Sequence, residues 1–335
     1  MTSSHLRQIL DDPRPEPLEE LAQEAARVTR QYFGGAVTLY APIYLANFCS
    51  SRCVYCGFSS QAKIHRRKLE PAQYRGEMAY LHDLGIRNVL LLTGESLRVT
   101  PVAYLEESAR AAAEHFQGIA IEVYPMETDD YRRLFAAGVD GLTIYQETYD
   151  RARYAEVHLS GFKKDYDYRR ATPARAAEAG FRQISLGVLL GLQADAAADV
   201  SALWQHLREL ERAYPGVEYS VSFPRLRPIK TQEFVHGDVT DVQFIKILCL
   251  TRIFFPRVGI NLSTRESAQL RDHAVGLAVT RISAGSNTAV GGYSVLGDEA
   301  QDPQFDIKDE RSVAQIVQML KTRGFDPVFT DWRNR

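Results

Sequence analysis

Three cysteines with metal-binding spacing lie close together in the first part of the chain. Cys49, Cys53 and Cys56 fall within the segment CSSRCVYCGF, with three residues between the first two and two between the second pair. Cysteines this close together, in a chain without the cysteine density of a secreted domain, favour metal binding over disulfides. Three protein thiolates would leave one iron of a four-iron cluster without a protein ligand, whereas a cluster that only carries electrons takes four. The segment therefore predicts a metal centre with one position left for another ligand.

Two other interpretations of these cysteines start from the same spacing. A closed zinc site needs a fourth ligand, and the nearby candidate His65 lacks a paired partner at zinc-binding spacing. A thioredoxin-like Cys53-x-x-Cys56 pair should open a helix in a smaller fold. We favour an iron–sulfur cluster over both alternatives.

The remaining cysteine, Cys249, lies in the apolar run FIKILCLTRIFF and is predicted to be a buried structural thiol.

The composition is that of an ordinary globular protein. The chain has 335 residues, of which 45% are hydrophobic and 24% charged, enough for one large barrel or two smaller domains. Its 40 Lys and Arg against 42 Asp and Glu give a net charge of -2, which attracts neither nucleic acid nor an anionic membrane. No segment has the apolar length of a signal peptide or a membrane span. We therefore expect a soluble cytoplasmic protein that binds neither nucleic acid nor membrane.

Strand-like and helix-like segments alternate along the chain. Short segments rich in Val, Ile, Leu and Tyr predict buried parallel strands over 38–48, 88–94, 118–124, 141–147, 183–191, 218–224, 260–266 and 281–285. Helical patterns follow them over 71–84, 101–116, 127–137, 172–180, 198–213, 240–255, 266–275 and 311–323. Eight strands, each followed by a helix, predict an α/β fold of the (β/α)8 TIM-barrel type. We expect an N-terminal helical segment over 1–37 and a barrel with a C-terminal tail over 38–335.

The barrel hypothesis predicts where chemistry should occur. Active groups of such barrels lie at the C-terminal ends of the strands. Polar or ionisable residues do follow the predicted strands: the cysteine segment, Thr93-Gly94-Glu95, Glu122, Gln146-Glu147, Ser222 with Arg225, Ser263 with Arg265 and Glu266, and Ser283 with Ser286. We expect these groups from seven strands to converge on one mouth of the barrel.

The segment CSSRCVYCGF resembles the three-cysteine loop of radical S-adenosylmethionine (SAM) enzymes. The resemblance implies that Cys49, Cys53 and Cys56 hold a [4Fe–4S] cluster, and that the iron without a protein ligand binds the methionine moiety of SAM. One electron from the cluster then cleaves SAM to a 5′-deoxyadenosyl radical, which is chemistry of the cofactor rather than of the protein. It also implies that Tyr55 lies near the adenine.

The same resemblance implies the rest of the SAM site. Thr93-Gly94-Glu95 is similar to a second-strand motif that faces the methionine ammonium, with Gly94 supplying backbone and Glu95 a carboxylate. Arg169 aligns with an arginine that pairs with the methionine carboxylate, a role that suits a planar guanidinium. Glu122 and Glu147 resemble polar groups on the ribose side. The alternative for these two glutamates is a surface salt bridge.

Longer segments narrow the resemblance to radical SAM tyrosine lyases, from about Arg30 to Trp332. The segments are YLANFCSSRCVYCGFS, LLLTGE, IYQETY, SVSFPRLRP, LSTRES and ISAGSNTAVGGY. They are similar to the 2-iminoacetate synthase family of thiamine biosynthesis and to the related tyrosine lyase of [FeFe]-hydrogenase maturation. This implies cleavage of the Cα–Cβ bond of L-tyrosine to p-cresol and 2-iminoacetate (dehydroglycine). It also implies a thiazole synthase partner and an electron donor such as flavodoxin or ferredoxin.

Tyrosine cleavage requires a group that binds the amino-acid carboxylate, a slot for the phenol and a dry interior. We expect Arg265, with Ser263 beside it, to bind the carboxylate, assisted by Ser283 and Ser286. Arg225, with Arg227 in the segment FPRLRP, is the alternative anchor, or else pins a loop through salt bridges. Tyr145 is expected to line the phenol pocket or to pack in the core.

Several other functions remain open at this stage. No cysteine follows Cys249, so the second cluster of the hydrogenase maturase is not expected and the thiamine branch is favoured. The alternatives are a radical lyase of another aromatic amino acid such as tryptophan, a maturase-like tyrosine lyase without the second-cluster domain, and a non-catalytic iron–sulfur or zinc protein.

Overall fold

Strands alternate with helices along the chain. The structure is a computed structural model that describes residues 1–226, 237–297 and 302–330. In these ranges the strands are β1 Ala36–Ala46, β2 Asn88–Thr93, β3 Gly118–Glu122, β4 Gly141–Glu147, β5 Gln183–Val188, β6 Glu218–Ser222, β7 Gly259–Leu262, β8 Arg281–Ser283 and β9 Asp326–Val328. The helices are α1 Ser3–Asp11, α2 Pro15–Phe33, α3 Pro71–Asp83, α4 Val102–Ala113, α5 Thr128–Ala136, α6 Arg151–Val157, α7 Tyr166–Arg170, α8 Thr172–Glu178, α9 Ala196–Ala213, α10 Asp241–Phe254, α11 Ala268–Leu277 and α12 Val313–Thr322.

Strands β1 to β8 close into a parallel barrel. Each strand pairs with the next along the chain, and β1 pairs with both β2 and β8, for example Tyr44 with Leu92 and Leu39 with Ile282. The strands are buried on both faces, by side chains inside and helices outside, and therefore consist mainly of apolar residues. The predicted (β/α)8 barrel is confirmed.

Glycines end several helices where the sequence places them. Gly85, Gly138, Gly180 and Gly324 follow α3, α5, α8 and α12 with φ of 89°, 106°, 100° and 79°. This left-handed conformation ends a helix and is accessible to glycine at little steric cost. After each of these turns the chain reverses direction and enters the next strand, which runs parallel to its neighbours in the sheet.

The helix α1, which lies inside the predicted N-terminal helical segment, is held by tertiary contacts, including a hydrogen bond from Lys246 Nζ to Ile9 O of 2.8 Å. Among the described residues, the helices α6 and α7 and the strand β9 were not predicted from the sequence. The strand β9 pairs with the start of β1, and Asn88 Nδ2 donates to Phe329 O at 2.9 Å. The short helix α6 follows β4 directly. None of these elements is long or strongly periodic, and their stability comes from packing rather than from local pattern.

Within the described ranges, no helix combines the length and the apolar composition needed to cross a bilayer.

Gly187 in β5 tests how tightly the barrel interior is packed. A Cβ at this position would lie 2.4 Å from Tyr145 Cδ1 and 2.8 Å from Ser222 O, a backbone atom that cannot move independently of its strand. We expect Gly187→Ala to lower the free energy of unfolding by about 1–3 kcal/mol, measured by urea denaturation. Gly216→Ala is the matched control, because a Cβ there meets nothing within 4 Å. Equal denaturation midpoints for the two variants would contradict the packing.

Candidate active site

The loop that contains Cys49, Cys53 and Cys56, here called the cysteine loop, follows β1. It is hydrogen-bonded on either side to the loops after β2 and β4. On one side, Ser50 N and Ser50 Oγ both donate to Glu95 O, at 2.8 and 2.7 Å. On the other side, Arg52 N donates to Ser160 O at 3.0 Å and Leu159 N donates to Arg52 O at 2.9 Å. These backbone contacts give the loop one conformation at the mouth of the barrel.

Arg66, which was not predicted from the sequence, stabilises the cysteine loop through hydrogen bonds to its backbone. Its guanidinium donates to four backbone oxygens, those of Asn47 and Phe58 at 2.6 and 2.9 Å and those of Ser59 and Ala62 at 2.6 and 3.2 Å. An arginine presents several donors in a rigid plane, which suits it to bind carbonyl groups from several turns at once. Only the fold shows that these carbonyls converge.

Two glycines allow other loops to approach the cysteine loop closely. A Cβ on Gly94 would lie 2.3 Å from Phe48 O, and one on Gly161 would lie 2.5 Å from Ser51 Cα. Gly161 also has a φ of 85°, a conformation that side chains disfavour. The glycine of the Thr93-Gly94-Glu95 motif is therefore needed for backbone contact with the loop.

The three thiols of the loop are free and largely shielded from water. Cys53 is buried, whereas Cys49 and Cys56 are partly exposed. Burial raises the pKa of Cys49 to about 11 and raises the pKa of both Cys53 and Cys56 above the usual thiol range. Metal binding must therefore displace protons from these thiols. In the described part of the chain, no group of three or more His, Cys, Asp or Glu side chains is arranged to hold a single metal ion.

A buried ion pair lies beside the loop. Arg169 Nη1 donates to Glu95 Oε1 at 2.8 Å and Arg169 Nε donates to Tyr145 O at 2.7 Å. The other oxygen of the carboxylate, Glu95 Oε2, accepts from Ser51 Oγ at 3.1 Å. The structure thus brings together Glu95 and Arg169, two of the predicted site residues, next to the cysteines.

A second ion pair joins the end of β4 to Lys163, a residue that sequence reasoning did not single out. Lys163 Nζ donates to Glu147 Oε1 at 2.6 Å and lies 5.7 Å from the centre of the Tyr55 ring. Burial lowers the pKa of Lys163, but the neighbouring carboxylates, led by Glu147, outweigh it and leave the pKa above its usual range. Glu147 has a φ of 70°, unusual for a residue with a side chain, at a register shift in β4. The strained backbone at this position helps to direct the Glu147 carboxylate toward the lysine.

The Tyr55 hydroxyl is bound by a neutral histidine. Burial lowers the pKa of His158 to about 2, so that its ring carries one proton. His158 Nδ1 lies 2.9 Å from Tyr154 O and must donate to it, which leaves His158 Nε2 to accept from Tyr55 OH at 2.8 Å. The predicted adenine-side residue Tyr55 is therefore held in one orientation.

A cavity opens at the C-terminal ends of the strands. It encloses about 1000 Å³ of space free of atoms, part of it open to solvent. Sequence-predicted site residues that line it are Tyr55, Cys56, Glu122, Tyr145, Glu147, Ser263, Arg265, Ser283 and Ser286. Residues that line it and were not predicted include Tyr44, Lys163, Gln304 and Phe305. Counting Ser222, residues at the ends of β1, β3, β4, β6, β7 and β8 converge on this cavity, whereas Glu95 after β2 and Arg225 after β6 do not line it.

Arg265 places a positive charge at the wall of this cavity. Its Cζ atom lies 3.6 Å from the centre of the Phe305 ring, and its backbone N–H donates to Ser263 Oγ at 3.4 Å. Burial lowers the pKa of Arg265, although a guanidinium remains charged. Ser286 Oγ is buried and has no hydrogen-bond partner among the described residues. A guanidinium and a free hydroxyl in the same cavity suit an anionic ligand.

Arg225 forms salt bridges, as one of its two predicted roles requires. Its guanidinium donates to Glu266 Oε1 at 3.0 Å and to Asp241 Oδ1 at 2.6 Å, and the residue does not line the cavity. Two carboxylates hold its guanidinium and pin the loop after β6 to α10, which favours the second of its two predicted roles, a salt-bridged loop, over the substrate anchor. Arg227, named with it in the sequence, lies outside the described residues.

The segment around Gln304 covers one side of the mouth. Tyr44 OH donates to Gln304 Oε1 at 2.8 Å, and Gln304 N donates to Thr288 O at 3.0 Å. A Cβ on Gly57 would lie 2.6 Å from Gln304 O, which shows how closely the segment lies against the cysteine loop. The segment therefore limits the access of water to the cavity.

Comparison with known proteins decides the family. Residues 43–200 match the Radical SAM superfamily, and residues 222–326 match the Biotin and Thiamin Synthesis associated domain. The chain is 38% identical over 315 residues to the 2-iminoacetate synthase of Escherichia coli (strain K12), covering 94% of this chain and 83% of that protein. The chain belongs to the 2-iminoacetate synthase family of radical SAM enzymes.

Two further relatives agree with this placement in the 2-iminoacetate synthase family. The 2-iminoacetate synthase of Salmonella typhimurium (strain LT2) is 36% identical over 332 residues, covering 99% of this chain and 88% of that protein. The crystal structure of the FeFe-hydrogenase maturase HydG from Carboxydothermus hydrogenoformans superposes with a TM-score of 0.91 at 31% identity, covering 99% of this chain and 77% of that one.

The residues at the site fit the cofactors of a radical SAM enzyme, a [4Fe–4S] cluster and SAM. The three free thiols lie on one loop, and Cys56 lines the cavity together with charged groups of both signs. Three thiols at neighbouring positions of one loop suit the ligation of separate irons of one cluster. The cavity beside them is lined by charged, hydroxyl and aromatic side chains.

Glu122 in this radical SAM site gives a pH-dependent prediction. Burial and then the nearby Glu147 charge raise the pKa of Glu122 to about 7. The folded state therefore binds this proton more tightly than the unfolded chain, and the resulting stability is lost as the pH rises from about 4 through 7. We therefore compare the unfolding free energy of Glu122→Gln with that of the parent protein in the same metal state. The variant minus parent difference should increase by about 1–3 kcal/mol from pH 5 to pH 8.

The matched control for this prediction is Glu107→Gln, which changes an exposed carboxylate on α4. Its unfolding free energy should follow that of the parent protein across the same pH range. A Glu122→Gln variant that parallels the parent from pH 5 to pH 8 would show that the Glu122 carboxyl is ionised in the folded protein.

Proposed function

We propose that the protein is a lyase that cleaves the Cα–Cβ bond of L-tyrosine to p-cresol and 2-iminoacetate, for the thiazole of thiamine. One observation carries the proposal. The cysteine loop, the partly buried Arg265 and hydroxyl groups without a hydrogen-bond partner among the described residues meet in one cavity at the mouth of the barrel. The relationship to two 2-iminoacetate synthases supports it.

In this proposal Cys49, Cys53 and Cys56 hold a [4Fe–4S] cluster with one iron left for SAM. When bound together, cluster and SAM supply a 5′-deoxyadenosyl radical. The buried Glu95–Arg169 pair offers one charge of each sign, which matches the ammonium and the carboxylate of the methionine moiety. A ligand without a matching ammonium and carboxylate would leave a buried charge of this pair unpaired. The pair therefore also discriminates against such ligands.

The remaining parts of SAM are assigned to residues around the cavity. Tyr55, oriented by His158, contacts the adenine, and Gly94 offers backbone groups beside the loop. Glu122 and Glu147 face the ribose. Lys163 neutralises Glu147, so that one carboxylate, that of Glu122, remains without a cation in hydrogen-bond contact among the described residues.

Arg265 anchors the carboxylate of the amino acid in this proposal. Ser263 lies beside it, and Ser283 and Ser286 line the same cavity from β8 and the loop after it. The Phe305 ring covers the guanidinium and shields it from water, which strengthens a charge-assisted hydrogen bond. Tyr145 packs against Gly187 deeper in the cavity and lines the space for the phenol.

Two protein partners follow from the chemistry. Cleavage of SAM requires one electron from outside, which a flavodoxin or ferredoxin supplies. The product 2-iminoacetate is an imine that hydrolyses in water, so a thiazole synthase that consumes it should accept it directly from this protein.

The test of the function uses anaerobically reconstituted protein with SAM, dithionite and L-tyrosine. We expect p-cresol and 5′-deoxyadenosine, and we expect Cys53→Ser to lose both products and most of its iron, because a thiolate ligand is removed. Cys249→Ser is the matched control: this thiol is buried in α10, away from the loop, and iron content should be unchanged.

Three outcomes of this assay contradict parts of the proposal. Absence of p-cresol with the parent protein would exclude tyrosine cleavage. Products from L-tryptophan in its place would show the same cofactor site with a different aromatic substrate. Normal iron content in Cys53→Ser would rule out the assigned cluster.

Arg265→Gln tests the carboxylate anchor. Loss of a hydrogen bond to a charged group costs about 1.5–3 kcal/mol, so the KM for tyrosine should rise about 10- to 150-fold while the KM for SAM stays within about twofold. Arg225→Gln is the comparison, because Arg225 is bound to Glu266 and Asp241 instead. It should lower the free energy of unfolding and leave the KM for tyrosine unchanged. A larger effect on SAM than on tyrosine in Arg265→Gln would mean that the anchor is misassigned.

A further inference from the structure

Three large apolar side chains are exposed on the outer side of the cysteine loop. Leu97, Leu159 and Phe162 have 42%, 37% and 45% of their surface accessible. Each belongs to a loop that follows β2 or β4. Isolated exposed apolar residues are common, but a group of them around one loop is typical of an interaction surface.

The backbone connects these three side chains directly to the cysteine segment. Leu159 N donates to Arg52 O at 2.9 Å, and Arg52 precedes Cys53. Leu97 comes two residues after Glu95, whose backbone oxygen accepts from Ser50 beside Cys49. Lys163, which follows Phe162, donates its backbone N–H to Ser51 Oγ at 3.1 Å, so each of the three exposed residues makes or lies within two residues of a hydrogen bond to the cysteine loop.

A shallow depression lies between Phe162 and the cysteine loop. Its walls are Ser50, Gly161, Phe162, Asp165 and Tyr168. Gly161 allows the loop after β4 to touch the cysteine loop, since a Cβ there would lie 2.6 Å from Ser50 O. The depression brings an outside molecule close to the backbone that carries the thiols.

Positive charge surrounds this surface. Arg98 and Lys164 are exposed next to Leu97 and Phe162, and Arg52 is partly exposed in the cysteine loop. None of these three cations forms an ion pair with a described residue. Asp165 is the one acid in the depression, and it caps helix α7 through Tyr168 N. From Cys49 to Leu69 the chain contains no Asp or Glu.

We infer that this surface, defined by Leu97, Leu159 and Phe162 with Arg98 and Lys164 and here named the cysteine-loop face, docks a small acidic protein that carries one electron. The inference rests on the proposed function, because it requires a metal centre that is reduced from outside. An apolar centre with a cationic rim is complementary to an acidic carrier of flavin or iron–sulfur type, and opposite charges raise the rate of encounter. Docking here brings the electron to the side of the loop nearest the thiols.

The test compares two sources of electrons in the reconstituted protein. Arg98→Glu/Lys164→Glu is assayed for 5′-deoxyadenosine with either dithionite, a small ion, or a reduced acidic flavodoxin. The dithionite rate should match that of the parent. The flavodoxin concentration for half-maximal rate should rise about tenfold at low salt, and this difference should shrink in 0.5 M salt, where exposed charges are screened. Calorimetric titration of flavodoxin should show the same weakening of binding without turnover.

Matched controls separate docking from damage. Lys321→Glu/Arg323→Glu makes the same charge change at the exposed end of α12, away from the cysteine loop, and should behave as the parent with both reductants. Phe162→Ser removes apolar surface without a change of charge. It should weaken flavodoxin binding at low and high salt alike, which keeps the inference testable if the double variant does not fold.

Several results would overturn the inference. Equal flavodoxin dependence in the cysteine-loop and α12 variants would place the carrier elsewhere. A parent protein that dimerises and becomes monomeric in Phe162→Ser would show that a second copy covers this face. If the parent cleaves SAM but yields no p-cresol from tyrosine, the proposed substrate fails while the docking result stands, because its readout is 5′-deoxyadenosine.

Discussion

The buried ion pair between Glu95 and Arg169 is the interaction on which the site depends. It joins the loop after β2 to helix α7, and the same carboxylate accepts a hydrogen bond from Ser51 in the cysteine loop. Removing two charges from water is costly, and only a pair with good geometry and further hydrogen bonds offsets that cost. Loss of either partner would leave a buried charge alone beside the cysteine loop. The position of the cysteine loop therefore depends on this pair.

The cavity as a whole balances charges that the fold has taken out of water. Lys163 compensates Glu147, and Arg265 lies against the Phe305 ring at the same wall. Glu122 remains with a pKa near 7 because burial disfavours its charge. Such perturbed groups gathered in one cleft are typical of functional sites, since a fold that needed only stability would have little reason to bury them. The charged side chains of the cavity therefore suit a ligand that carries charges of its own.

Rigidity at this site comes from elements that contain no reacting group. Arg66 binds four carbonyl oxygens around the cysteine loop, and the segment with Gln304 closes one side of the mouth. His158 holds the Tyr55 ring through one hydrogen bond. Binding sites keep their geometry when supporting side chains are themselves fixed by packing and hydrogen bonds. The face that we assign to an electron carrier includes Leu159, which follows His158 and donates its backbone N–H to Arg52 O in the cysteine loop.

The amino-acid sequence by itself determined the barrel and the residues with chemical character. Strand and helix periods, glycines at helix ends and the cysteine spacing are local features, so eight strands and the positions of Cys49, Glu95 and Arg265 were predictable. Tertiary structure alone decided which of these groups meet. Arg225 and Arg265 follow neighbouring strands in similar segments, yet Glu266 and Asp241 bind the first and the cavity receives the second. Lys163, His158, Arg66 and Phe305 are of ordinary residue types in loops, and their roles depend on contacts with residues distant along the chain, which no local pattern records.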